Sequence, residues 1–420
     1  MNVDEQSSKR IKLTHNSDDD AQMAIFRNET MSIQSILSDE LTQPIPRTNV
    51  VIGQIGDTKQ TSTIILELSR MVPLNDLNHL KRVRKNAVIL CSRAELAKFV
   101  EINSKRIIER VQSITSSTEF PEWAEQFLAD EQSKPTTQWL DSRQELLRIA
   151  VEMYLTVRRV STSMLEGLCK SLEIIEVAAK QPILHWQYVL AQKHWPGKFH
   201  QNKILEKLFN NRVFDTKQTN FHLKMMALCK MLAVKLARKA TGIAVDPRNG
   251  NIVAVGAIEI DRHPLMHCPM VLIDAVARTQ NGGAWNDRLV DASDVTLTDL
   301  PASDDNYRFS GVSRPVKEFI LGQFSDTTFG GEVVKTAGTI DLTDIPDSGD
   351  NLAKFGPYLC TGYDVYLLKE PCVMCSMALV HSRVRRIFFY SPTETGGLAT
   401  LTKIHTIKQL NHHFDVFQIR

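Results

Sequence analysis

Three things are missing from this chain of 420 residues. No apolar run is long enough to span a bilayer, which excludes a transmembrane helix. No apolar stretch near Met1 resembles a secretory leader, so a reducing setting in nucleus and cytoplasm is expected. A surplus of one charge sign is missing as well. With 50 Lys and Arg against 48 Asp and Glu, the formal net charge of +2 names no partner. Cysteine is scarce: seven, an odd number, widely scattered. In a reducing compartment that pattern favours metal binding over disulfides. What remains is ordinary globular composition, 43% hydrophobic and 23% charged, in a chain long enough for two or three domains.

Two of the cysteines stand together in Glu370-Pro371-Cys372-Val373-Met374-Cys375. A strand-like run, Tyr363 to Leu368, precedes them, and an apolar helical run through Met377 and Val380 follows. Cysteines three apart share one helix face, so both sulfurs can reach a single ion. The positive end of a helix favours their thiolate forms, and Pro371 suits a helix start that needs no N–H. Two cysteines make half a tetrahedral site, so other ligands must come from elsewhere.

Taken in order, residues 1–45 read as a polar tail containing Lys9-Arg10-Ile11-Lys12, equally a nuclear-localisation signal or a solvated basic run. Residues 46–135 alternate strands (Val50–Gly53, Val88–Cys91) with helices (Gln60–Arg70, and Arg93–Val100 capped by Ser92). This predicts a small α+β domain of ferredoxin-like kind, for which RNA binding is expected from its cations and not from the alternation. Its cations Lys81, Arg82, Arg84 and Lys85 fall within five positions and suit a phosphate backbone, with a solvated loop as the plain alternative. Residues 136–200 predict a linker of long amphipathic helices, in which Leu146, Leu147, Ala150, Val151 and Tyr154 recur at helical spacing. The linker ends at His194-Trp195-Pro196-Gly197-Lys198-Phe199-His200, a hinge packed by Trp195 and Phe199.

From residue 201 to 420 a second domain is expected. It opens on a basic helical stretch, Lys203–Lys239, where Lys224, Lys235, Arg238 and Lys239 are candidate RNA contacts. Thr241–Val245 and Ile252–Ile260 predict a hairpin. His263-Pro264-Leu265-Met266-His267-Cys268-Pro269-Met270 then leads into a helix, Val271–Arg278. Residues 282–356 read as an acidic insertion. After the cysteine motif come a strand (Val384–Tyr390), a helix near Leu401–Leu410 and a last strand, Phe414–Ile419.

A hairpin, a His-headed helix, a strand and Pro-Cys-x-x-Cys on a second helix resemble the zinc-dependent nucleobase deaminases, which pair H-x-E with P-C-x-x-C. The resemblance implies an α/β, three-layer α/β/α fold with a mixed sheet, and a zinc ion held by His267, Cys372 and Cys375. The wording around the motifs is closer still. His263-Pro264-Leu265, Leu359-Cys360-Thr361-Gly362-Tyr363-Asp364, His381-Ser382-Arg383, Leu410-Asn411-His412-His413-Phe414, the segment His79 to Arg84 and the segment His194 to His200 resemble Tad3-type subunits of eukaryotic tRNA adenosine deaminase. That resemblance implies a heterodimer with a catalytic Tad2-type subunit, converting the wobble adenosine of tRNA to inosine.

One departure decides the expected role. A catalytic deaminase needs a carboxylate two residues after the histidine to move protons, and here that position is Pro269. Asp274 lies about 10 Å further along the helix axis. Glu370 sits beside a proline at a helix start, where carboxylates more often accept backbone N–H bonds. The expected function is therefore a non-catalytic subunit supplying tRNA binding and support. Rival readings are a self-sufficient deaminase using Glu370, a structural zinc domain binding RNA, and a thioredoxin-like redox pair that leaves His267 unexplained.

Overall fold

A computed structural model describes residues 31–115, 144–280, 282–285, 311–331 and 358–420. The Lys9–Lys12 run and most of the acidic insertion lie outside the described residues. The chain divides into two compact units, Asp39–Glu206, and Met1–Ser38 with Lys207–Arg420. The first unit is thus inserted into the chain of the second. Residues 31–45 do not belong to a tail. Strand β1 (Ile33–Ser35) pairs antiparallel with the last strand, and helix α1 (Asp39–Thr42) follows it.

In the unit 39–206, β2 (Arg47–Gln54), β3 (Val83–Arg84), β4 (Ala87–Ser92) and β5 (Leu172–Ala178) form an antiparallel sheet in the order β3-β4-β2-β5. Helix α2 (Thr61–Met71) joins its first strand to its second, while α3 (Arg93–Ile102), α4 (Ser104–Thr115), α5 (Gln144–Val157) and α6 (Thr162–Leu168) lie between its third and fourth. The fourth strand beside the first, and the first beside the third, is the split βαβ order of ferredoxin-like folds. Ser92 caps α3, its hydroxyl accepting from the Glu95 N–H at 3.1 Å. The expected boundary at residue 135 and the helical reading up to Ala179 are corrected by β5, which pairs with β2 from Leu172 to Ala178. The stretch Leu172-Glu173-Ile174-Ile175-Glu176-Val177 fits either period, and its β-branched side chains go where the pleat accepts them. Side chains alternate along the strands. Val51, Val88 and Leu90 pack under Leu68, Leu96 and Leu147, whereas Val50, Ile52 and Ile89 pack on Leu77, Leu80 and Trp195. Helix α7 (His185–His194) leads to that tryptophan.

The other unit follows α8 (Lys203–Phe209) with α9 (Thr216–Lys235), β6 (Thr241–Val245), β7 (Ile252–Ala257), α10 (Cys268–Arg278), α11 (Arg314–Gln323), β8 (Asp364–Lys369), α12 (Val373–His381), β9 (Arg386–Ser391) and β10 (Asp415–Ile419). Its mixed sheet runs β1-β10-β9-β8-β6-β7, with β8, β9 and β10 parallel. Val365, Leu367, Ile387 and Phe389 face α10 and α12, through Leu272, Val276, Leu379 and Val380. The intervening Tyr366 and Phe388 face α9, through Met225, Leu228 and Leu232. Helices thus cover both sheet faces, the three-layer α/β/α arrangement that the motif order implied. The insertion also contains folded chain. Gly311 donates to the Val253 carbonyl at 2.8 Å and Thr328 accepts from the Ile252 N–H at 2.9 Å, so residues 311–331 cover the outer edge of β7. Gly311 has to be glycine, because a Cβ there would stand 2.5 Å from the Ala275 carbonyl oxygen.

Near Leu401–Leu410 the structure has one 3₁₀ turn, Ile404–Thr406, in place of the expected helix. The Leu401 and Ile404 N–H groups donate to Gly396 and Gly397, so a helical ladder cannot form there. Among the described residues no helix is long and apolar enough to cross a membrane.

Two core histidines set an acid limit. His222 bonds the Tyr366 hydroxyl at 2.7 Å, and burial pushes its pKa down to about 3. His405 donates Nε2–H to the Ile36 carbonyl at 2.9 Å, and burial lowers it to about 4. The unfolded chain binds these protons near pH 6.5, whereas the folded chain resists them until about 4 and about 3. Stability is therefore fully present above pH 6.5 and falls as the pH drops, by roughly 2 kcal/mol per histidine at pH 5. Urea midpoints at pH 7 and pH 5 should show that loss, and His222→Asn should remove about half of it.

Candidate functional site

β8 ends at Lys369 and the chain turns through Glu370 and Pro371 into α12. Cys372 is the N-cap of that helix and His267 is the N-cap of α10, both in extended backbone conformation. Pro371 therefore precedes the helix instead of opening it. His267, Cys372 and Cys375 converge, with one ligand atom from each lying within 4.8 Å of the others. Cys372 Sγ and His267 Nδ1, 105 positions apart in sequence, are separated by 3.6 Å. Tetrahedral bonds of 2.0–2.3 Å give ligand-to-ligand edges of roughly 3.3–3.8 Å, so the 3.6 Å sulfur–nitrogen edge suits a zinc-sized ion, and among the described residues no fourth His, Cys, Asp or Glu joins the three. Burial pushes the Cys375 thiol up, against the pull expected from the helix N-terminus. Metal binding at such a site must displace that proton.

Among the described residues, the groups weighed as proton carriers are buried or engaged. Pro269 is buried in the first turn of α10. Asp274 is also buried; it pairs with Arg278 Nε at 2.9 Å and accepts from the Ala284 N–H at 2.6 Å. Cys268, next to His267, donates its S–H to the Gly256 carbonyl at 3.6 Å and packs into the core.

Glu370 is the most heavily bonded carboxylate of the region and is 3% exposed. Oε1 accepts from the N–H groups of Leu398, Ala399 and Thr400 at 3.0, 2.7 and 3.0 Å. Oε2 accepts from the Thr393 N–H at 3.3 Å and from the Thr400 hydroxyl. These bonds hold residues 393–400 against the cysteine motif, where Cys372 bridges Gly396 and the Gly397 N–H donates to the Pro371 carbonyl at 2.8 Å. No side chain fits at Gly396, since a Cβ would stand 2.1 Å from the Glu370 carboxyl. With its oxygens engaged this way, Glu370 is a brace for the loop and has no spare oxygen for a proton relay.

The candidate RNA-binding cations fare unequally. Arg82 is corrected outright: it is buried, and its guanidinium donates to the carbonyls of Val72, Ile89 and Leu90 at 2.7, 2.9 and 3.2 Å. Burial lowers it to about 10. Lys224 pairs with Asp326 at 2.7 Å, Arg238 with Asp261 at 2.9 Å, and Lys235 lies over the Phe319 ring at 5.6 Å. The charges of Lys224 and Arg238 are thus matched by acids distant in sequence, while Lys235 rests on an aromatic face. Lys81, Arg84, Lys85 and Lys239 are exposed. The expected hinge at His194–His200 is instead bonded along its length to the segment of Lys81, a pairing that the Pro-Gly punctuation hid.

The family model described as tRNA-specific adenosine deaminase TAD3 N-terminal domain matches residues 48–142. A Danio rerio protein named probable inactive tRNA-specific adenosine deaminase-like protein 3 is 29% identical over 397 residues, covering 93% of this chain and 92% of its own. The chain is thus similar to TAD3-type proteins, to the family model over its N-terminal part and to the relative along most of its length. The Saccharomyces cerevisiae tRNA-specific adenosine deaminase subunit TAD3 is 50% identical over 66 residues, 14% of this chain and 20% of that one. A solved structure from studies of A-to-I editing by tRNA:A34 deaminases aligns with 48% of this chain and 99% of its own at 13% identity and a TM-score of 0.24. The fold assignment accordingly rests on the strand order and on the helices that cover both faces of the sheet.

Proposed function

We propose that this chain is the non-catalytic subunit of a heterodimeric tRNA adenosine deaminase that converts the wobble adenosine to inosine. The observation that carries the reading is a complete His267, Cys372 and Cys375 ligand set with Pro269 where the proton carrier would stand. The two carboxylates weighed for that role, Asp274 and Glu370, are bonded elsewhere. His267, Cys372 and Cys375 would hold zinc and so pin the starts of α10 and α12 together. Bound zinc would supply Lewis acidity, but among the described residues no free carboxylate stands at the Pro269 position to take a proton from a water or give one to a leaving amine. Loss of such general acid–base help is worth about 10²–10⁴ in rate. A Tad2-type partner with an intact H-x-E would run the hydrolysis, and this chain would supply support and a grip on tRNA, acting in nucleus and cytoplasm.

The test is expression with and without that partner, followed by metal analysis and by scoring inosine at the first anticodon position. The expected result is no turnover from this chain alone, turnover from the complex, and its loss when the partner's H-x-E glutamate is replaced. Robust turnover by the purified chain alone would overturn the reading in favour of a self-sufficient enzyme.

A further inference from the structure

The helix headed by His267 lies on bare backbone. Gly242 of β6 and Gly256 of β7 are partners in register, as are Ala244 and Ala254 two residues on. Because side chains alternate along strands, these four small residues share the sheet face that α10 covers. Cys268 and Leu272, one helical turn apart, are the α10 residues that meet it. A Cβ at Gly256 would stand 2.7 Å from the Leu272 nitrogen, 2.8 Å from its Cα and 2.9 Å from its Cβ. A Cβ at Gly242 would meet the end of Leu367 at 2.7 Å, and Cys268 Sγ and the Tyr366 carbonyl oxygen at 3.2 Å. His267 stands immediately before this contact. Its Nδ1 faces Cys372 Sγ at 3.6 Å, and among the described residues no hydrogen bond holds its other ring nitrogen.

We propose that Gly242 and Gly256 are positioning residues for the metal site: they set how deep α10 lies on the sheet, and so where His267 stands against Cys372 and Cys375. The proposal rests on the reading that those three residues hold zinc. A metal-ligating histidine is ordinarily oriented by a hydrogen bond from its second ring nitrogen. With no such bond among the described residues, the height of the helix places the ring. Non-bonded carbons rest about 3.5–4.0 Å apart, so a methyl at Gly256 would push Leu272 outward by roughly 1 Å. Metal–ligand distances tolerate only about 0.2 Å. The atoms in the way at Gly256 are mostly α10 backbone, which moves only with the helix, whereas the nearest at Gly242 is the end of a side chain that can yield. The cysteine helix has a different seat. α12 packs on Gly397, where a Cβ would stand 2.6 Å from Ser376 Oγ and 3.0 Å from the Val373 Cα. Lifting α10 therefore draws the histidine away from the cysteines instead of moving all three together.

The test measures zinc affinity of the complete heterodimer by competition with a chromophoric chelator, and the visible spectrum after cobalt replaces zinc. Gly256→Ala should weaken the metal equivalent held by this chain by about 10–100-fold, the range seen when the support of a ligand is lost, and should shift its cobalt bands. The equivalent held by the partner should not change. If Gly256→Ala does not assemble, Gly242→Ala takes its place, with a loss nearer to about tenfold. Gly53→Ala is the control for a loss of stability alone. A Cβ there would stand 2.4 Å from the Leu168 carbonyl oxygen, in the unit 39–206, so the unfolding temperature should fall with zinc affinity unchanged. Unchanged affinity and cobalt bands in the assembled glycine variant, or an equal loss of affinity in Gly53→Ala, would overturn the positioning role and leave the zinc reading intact. A wild-type complex holding only the partner's metal equivalent would overturn the zinc reading itself.

Discussion

Replacing Glu370 by glutamine should lower the unfolding temperature of the chain by about 10 °C and loosen the loop at residues 393–400. The carboxylate is buried and accepts from four backbone N–H groups and one hydroxyl. Glutamine keeps the volume, yet its amide replaces one acceptor oxygen with a donor that faces other donors. Breaking a buried charged arrangement from one side costs roughly 3–5 kcal/mol, and in a unit of this size each kcal/mol moves the transition about 2–4 °C. Glu370→Ala should be at least as damaging, since every donor is then left without its acceptor. Amide exchange of Leu398, Ala399 and Thr400 is the local readout. These protons should exchange much faster in both variants. A proton relay through Glu370 predicts the opposite pattern, with normal unfolding temperature and exchange alongside altered pH dependence of turnover.

That brace was half legible in the sequence. A carboxylate next to Pro371 suggested backbone capping, but its donors come from residues 393–400, which no local spacing reveals. The cluster of His267, Cys372 and Cys375 was legible because cysteines three apart on one helix, and a histidine heading another, keep their pattern wherever the helices sit. The sheet of the C-terminal unit was legible for a similar reason: Val365-Tyr366-Leu367 and Ile387-Phe388-Phe389 are continuous apolar runs, as strands buried on both faces must be. Features made by long-range pairing were not. β1 is three residues that become a strand through the edge of β10, and β5 carries a pattern compatible with either period. The cations show the same limit. Arg82 and Arg84 are two apart and identical in kind, yet one is spent on three carbonyls in the core and the other braces Trp195. Sequence displays charge; the contacts of each cation decide whether it is available.

Removing a metal ligand should separate structure from chemistry most sharply. In the heterodimer, His267→Ala or Cys372→Ser should delete one equivalent of metal per complex and destabilise this subunit by at least about 3 kcal/mol. His267 and Cys372, 105 positions apart, head α10 and α12, and an ion held by them only in the folded state would add its binding free energy to folding. The surviving intact complex should nevertheless turn over tRNA at a rate close to wild type, because Pro269 denies this site a proton carrier. Metal content, unfolding temperature and turnover normalised to intact heterodimer are the three measurements. The two loss patterns differ in kind. A structural ion gives lower yield and stability at constant turnover per complex, whereas a catalytic one gives a fall of about 10²–10⁴ with assembly preserved. The second pattern would mean that this site takes part in the reaction despite its proline, and the division of labour between the subunits would have to be redrawn.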